Sequence, residues 1–117
     1  MALADTKQDI ARFADMLAAM GAEPRLRIVR LLLSAHPRGL VAGDISVELD
    51  IAPSTLSHHL DRLKREGVVT VRRDGTFLWY MANTEVLEHL IKFLFAECCT
   101  RSTAISPERL TFISTKT

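Results

Sequence analysis

Residues 54–69 read Ser54-Thr55-Leu56-Ser57-His58-His59-Leu60-Asp61-Arg62-Leu63, then Lys64-Arg65, then Glu66-Gly67-Val68-Val69. Leu56, Leu60 and Leu63 recur at i, i+4 and i+7, which puts them on one face of a helix expected over 53–66. Ser54, Thr55, Ser57, His58, Asp61, Arg62 and Arg65 fall on the other faces, and Gly67 stops the helix. Its first turn thus carries hydrogen-bonding groups of little bulk. A helix that enters a DNA major groove by its N-terminal end needs such groups there.

Working outward, Asp44–Leu49 is a short helical pattern, with the brief connection Asp50-Ile51-Ala52-Pro53 behind it. Downstream, Val68–Arg73 and Thr76–Ala82 are β-rich runs joined by Asp74-Gly75, a strong hairpin signal. Upstream, Asp9 opens an amphipathic helix through Ile10, Phe13, Ala14, Leu17 and Met20 that Gly21 closes. Pro24 begins a second helix, whose wide apolar face of Leu26, Ile28, Val29, Leu32 and Leu33 predicts extensive burial. His36-Pro37-Arg38-Gly39 ends it. From Thr84, a pattern of Val86, Leu87, Leu90, Ile91, Leu94 and Phe95 traces a last helix ending near Cys98 and Cys99. No internal repeat is present.

This order of helices and hairpin is that of a winged helix-turn-helix, a mainly α fold with a β-hairpin wing. Residues 1–100 form one DNA-binding and dimerisation domain on this reading, and 101–117, rich in Ser and Thr, a flexible tail. The 117 residues allow one domain and no multi-domain enzyme. At that size a single core covers limited apolar surface, which favours a homodimer through the first and last helices. The net charge of +1 makes no case for nucleic acid by itself. Its distribution does more: from Pro53 to Gly75, Arg62, Lys64, Arg65, Arg72 and Arg73 outnumber Asp61, Glu66 and Asp74. Ser54, Thr55, Ser57, His58, Arg62, Arg72 and Arg73 are the expected DNA contacts. His59 reads as a partly packed imidazole, and Trp79 with Tyr80 as core and dimer contact.

The apolar runs are far too short for a membrane span and the N-terminus lacks a signal-peptide pattern, so a cytoplasmic protein with no membrane partner is expected. The adjacent Cys98 and Cys99 suit reactive thiols or ligands better than a structural staple. No enzyme chemistry is expected. The one nucleophile and base pair, Cys98 with His89, is separated by about 13 Å of helical rise.

The 54–69 stretch resembles the recognition helix and following wing of the ArsR/SmtB family of repressors, and Ala22-Glu23-Pro24-Arg25-Leu26-Arg27-Ile28 resembles that family's second-helix opening. The resemblance covers about residues 10–99. It implies a homodimer that blocks transcription by holding double-stranded operator DNA until a metal or metalloid weakens its grip. Members that sense through the short helix carry a Leu-Cys-Val-Cys-Asp pattern, where this chain has Leu40-Val41-Ala42-Gly43-Asp44. The zinc-sensing pattern on the last helix is also missing, because His89 is the helix's lone histidine and Thr100 stands where another is wanted. Cys98 and Cys99 resemble the position of arsenic-binding members instead.

Soft thiolates favour soft, thiophilic centres. Arsenite prefers three thiolates, whereas the chain has two cysteines. That count suits trivalent methylarsenite or phenylarsenite, or arsenite completed by a small thiol or hydroxide. Adjacent residues on an ideal helix diverge by about 100°, so convergence of the two sulfurs requires relaxed backbone. The alternatives are a thiol-redox or sulfide-sensing repressor on the same scaffold, a winged helix used only for protein contacts, and interface cysteines with no ligand.

Overall fold

The computed structural model describes residues 7–102. The expected tail lies, from residue 103 onward, outside the described residues. The elements are α1 (Lys7–Met20), α2 (Glu23–Ser34), β1 (Leu40–Val41), α3 (Ala42–Leu49), α4 (Pro53–Arg65), β2 (Val69–Asp74), β3 (Phe77–Ala82) and α5 (Thr84–Phe95). The described residues fall into two compact units that part between Asn83 and Thr84. The first is the winged helix-turn-helix. The second holds α5 and the cysteines.

In the first unit one stripe of each helix is buried: Phe13, Met16 and Ala19 from α1, Ile28, Val29 and Leu32 from α2, Ile45 from α3, and Leu56, Leu60 and Leu63 from α4. Val68, just before β2, and Val69 and Ala82 of the sheet close the core. The i, i+4, i+7 leucines of α4 are therefore the anchor that leaves the rest of that helix facing outward. α2 is less buried than its composition predicts, with Leu26 48% and Leu33 41% exposed. Its apolar arc is wider than the surface its neighbours cover.

Both α2 and α4 start with proline in the first turn behind an extended alanine, Ala22 and Ala52, with no side-chain cap. Proline gives up an N–H that the helix start leaves unpaired anyway. Between α3 and α4 the chain turns at Asp50, in left-handed conformation at φ 54°, where the Ile51 N–H donates to the Ser46 carbonyl at 3.1 Å. The Ser46 hydroxyl donates to the Ile51 carbonyl, tying the turn from both sides.

The sheet has three antiparallel strands in the order β1-β3-β2. β1 is a strand the sequence does not announce, because its Leu40 and Val41 pair with Tyr80 and Trp79 and two residues show no period. The hairpin turn also sits one residue later than expected. Asp74 pairs with Phe77, so the loop is Gly75-Thr76 rather than Asp74-Gly75. The reason is the glycine: Gly75, at φ +65°, takes the first central position of a two-residue loop, where a positive φ is needed.

Candidate nucleic-acid interface and thiol pair

α4 carries the expected contact residues outward. Ser54, Thr55, Ser57 and His58 are all exposed, on the sides of the helix away from Leu56, Leu60 and Leu63. The unpaired N–H groups and positive dipole end of the first turn favour an anion beside Ser54 and Thr55. Thr55, His58 and Arg62 follow at i, i+3 and i+7, so Arg62, half-buried, continues the same face. Arg62, Lys64 and Arg65 put cations in the last turn.

His59 points elsewhere, half-buried, as its packed reading requires. Burial holds its imidazole below the ordinary histidine range, helped by the charges of Arg25 and His58. Arg25 is itself fixed through Nε, which donates to the Ala19 carbonyl.

The two wing arginines part company. Adjacent strand residues point to opposite faces, and the register sets Arg73 opposite Leu78 and Arg72 opposite Trp79. Arg73 shares its face with Val71 and Tyr80, and Tyr80 lines a groove of about 320 Å³ together with Leu56 and Ser57 of α4. Arg73 is thus on the α4 side of the sheet. Arg72 lies over the Trp79 ring at 5.6 Å, donates to the Arg38 carbonyl at 3.2 Å and stands 3.8 Å from Asp74. Arg38 is over the same ring at 4.8 Å. The expectation of Trp79 as core is met only in part: the ring is half-buried and covered by two guanidiniums. Arg38, in sequence only part of the stop after α2, is the member of this cluster that no local signal reveals.

In the second unit α5 ends at Phe95, so the cysteines lie in the turn that follows rather than in its last helical turn. The Cys98 N–H donates to the Phe95 carbonyl at 2.8 Å, and Cys99 takes the left-handed conformation at φ 66°. That reversal removes the helical divergence, and the two Sγ atoms come to 2.8 Å, both residues half-buried. The Cys98 thiol is held above its ordinary range, first by its hydrogen bond to Cys99, then by partial desolvation and by the neighbouring thiol's charge. Among the described residues no three His, Cys, Asp or Glu side chains gather as a metal cage.

Residues 23–71, from the start of α2 into the wing, match the family model described as bacterial regulatory protein, arsR family. The arsenical resistance operon repressor of Staphylococcus aureus is 33% identical over 79 residues, which are 68% of this chain and 73% of that protein. The chain belongs to the ArsR family. The transcriptional activator HlyU of Vibrio cholerae is 30% identical over 99 residues, 85% of this chain and 89% of that one. A homodimeric winged helix-turn-helix DNA-binding domain from Mycobacterium bovis superposes with a TM-score of 0.62 at 22% identity, covering 91% of this chain and 100% of that chain, a likeness of fold alone. These ArsR relatives act in transcription regulation, and the fold of the first unit is theirs. Among the described residues no helix is long and apolar enough to cross a membrane.

Proposed function

We propose that this ArsR-family protein is a cytoplasmic homodimeric repressor that leaves its operator when a trivalent arsenical binds Cys98 and Cys99. The observation that carries the reading is the 2.8 Å separation of the two sulfurs, reached through the left-handed Cys99. It presents two soft donors to one centre, the donor set a thiophilic metalloid selects. Methylarsenite, bearing one carbon and two exchangeable oxygens, would complete its coordination with these two thiolates alone. Each thiol loses its proton to a departing hydroxide, which leaves as water, so the raised Cys98 pKa is no obstacle. On the DNA side, Ser54, Thr55, Ser57 and His58 would meet base edges and phosphates, with Arg62, Arg72 and Arg73 supplying charge.

Release requires the inducer to bind the DNA-free form better than the DNA-bound one, and a thousandfold loss of operator affinity needs about 4 kcal/mol of such coupling. The decisive experiment is a mobility-shift titration on the promoter upstream of its own gene. Cys98→Ser and Cys99→Ser should each keep operator binding and lose the response. Wild-type protein should be released at lower methylarsenite than arsenite concentration. A double serine variant that responds like wild type would remove the cysteines from the mechanism.

A thiol-redox or sulfide-responsive repressor is favoured by the same sulfur separation. Release by diamide or polysulfide, with none by methylarsenite, would put that reading in its place.

A further inference from the structure

Arg38 stands in the connection between α2 and β1, outside both the helix-turn-helix and the hairpin. Its place is set by Gly39, buried and at φ +83°, whose N–H donates to the Ala35 carbonyl at 2.9 Å. A Cβ there would overlap the Tyr80 carbonyl and come within 2.6 Å of Met81 Cγ, so only glycine lets this connection press against β3. Pressed there, the neighbouring Arg38 lays its guanidinium over the Trp79 ring, 4.8 Å from its centre.

A guanidinium held over an indole by cation–π attraction is pre-organised, and the ring does not use up its N–H donors. Arg72, over the same ring, directs one nitrogen to the Arg38 carbonyl and another towards Asp74. Arg38 is exposed, and among the described residues no carboxylate lies within ion-pair distance of it. The result is two cations over one aromatic platform, with Arg38 exposed and without a carboxylate partner among the described residues. An oriented, unpaired guanidinium fork matches the oxygens of a phosphate. The platform is on β3, which forms the wing with β2, and shares the face of Arg72 opposite that of Arg73, so the cation is offered from the other face of the hairpin proposed to meet DNA.

We infer that Arg38, set over Trp79 by Gly39, is a phosphate-backbone contact of the bound duplex, adding a cation from the α2–β1 connection to those of α4 and the wing. The inference rests on the DNA-binding part of the proposed function and is independent of the inducer.

The test measures duplex affinity against salt for wild type, Arg38→Gln, Arg38→Lys and, as a charge control, Arg30→Gln on the exposed side of α2. Two duplexes are used, the protein's own promoter region and a scrambled sequence. One phosphate contact carries a log–log salt slope of about 0.9, so Arg38→Gln should lower the slope by about that much per protomer. The same counterion term amounts to about a fivefold loss of affinity per protomer at 0.15 M salt. The loss should be equal on both duplexes, Arg38→Lys should retain the slope, and Arg30→Gln should leave it unchanged. Trp79, the chain's single tryptophan, should also change its emission when duplex is added to wild-type protein. A wild-type slope in Arg38→Gln, or a Trp79 emission indifferent to duplex, overturns the inference and leaves the DNA-binding reading standing. Wild-type protein that binds neither duplex overturns both.

Discussion

His59 lies on α4 but packs inward, half-buried, instead of facing outward with Ser57 and His58. Its imidazole is half-buried beside Arg25, and its pKa lies below the ordinary value of 6.5 because burial and the guanidinium disfavour the charged ring. The unfolded chain therefore binds a proton near pH 6.5 that the folded chain takes up only at lower pH. Stability is undiminished by this residue above pH 6.5 and falls as the pH drops from there towards the folded value. His59→Gln should flatten the decline of melting temperature between pH 7 and 5. An unchanged decline would mean that the ring keeps its ordinary proton affinity. Cys99 is a second case: nothing in the dipeptide Cys98-Cys99 predicts convergence, and its left-handed backbone decides it.

At the scale of elements, α4 was legible because its core stripe and its polar face repeat with the helix period. Leu56, Leu60 and Leu63 are 1%, 2% and 0% exposed, so the outward aim of Ser57 and His58 follows from local order alone. On that footing, replacing both Ser57 and His58 by alanine should narrow the gap between operator and scrambled-sequence affinity by about 1–3 kcal/mol. Melting temperature should stay near wild type, since neither side chain is buried. Competition binding on the two duplexes checks it, and an unaltered ratio would place base reading elsewhere. The wing was legible to within one residue. Both Asp74-Gly75 and Gly75-Thr76 satisfy a two-residue hairpin in sequence, and pairing of Asp74 with Phe77 chose the second. The slip leaves Arg72 on the Trp79 face in either register, but only the observed one sets Arg72 directly opposite Trp79 instead of opposite Phe77.

For the whole molecule, a single chain leaves apolar surface uncovered on its first and last helices. Ile10 (53%) and Leu17 (43%) of α1 and Ile91 (39%) and Leu94 (57%) of α5 are exposed. Phe13 and Leu90, from the apolar patterns of the same two helices, are buried within the chain, at 8% and 4%. Homodimerisation through α1 and α5 is the proposed use of the remaining four. Leu94→Asp should then shift the sedimentation coefficient to that of a monomer and abolish binding to a two-half-site operator, because each protomer offers one recognition helix. A dimeric variant that still binds would require another interface.

What the sequence determined by itself is what depends on near neighbours: the helix periods, the proline starts of α2 and α4, a hairpin at Gly75 to within one residue, and the exposure of the α4 polar face. Its likeness to the ArsR/SmtB family rests on the same contiguous motifs. Tertiary structure decided what depends on residues distant in the chain. Leu40-Val41 becomes a strand only because Tyr80 and Trp79 lie beside it, and Arg38 meets Trp79 only because Gly39 lets two backbones approach more closely than any side chain would permit. Local patterns record the period of a chain, whereas such contacts are selected by packing among segments some forty residues apart, for which no local signal exists.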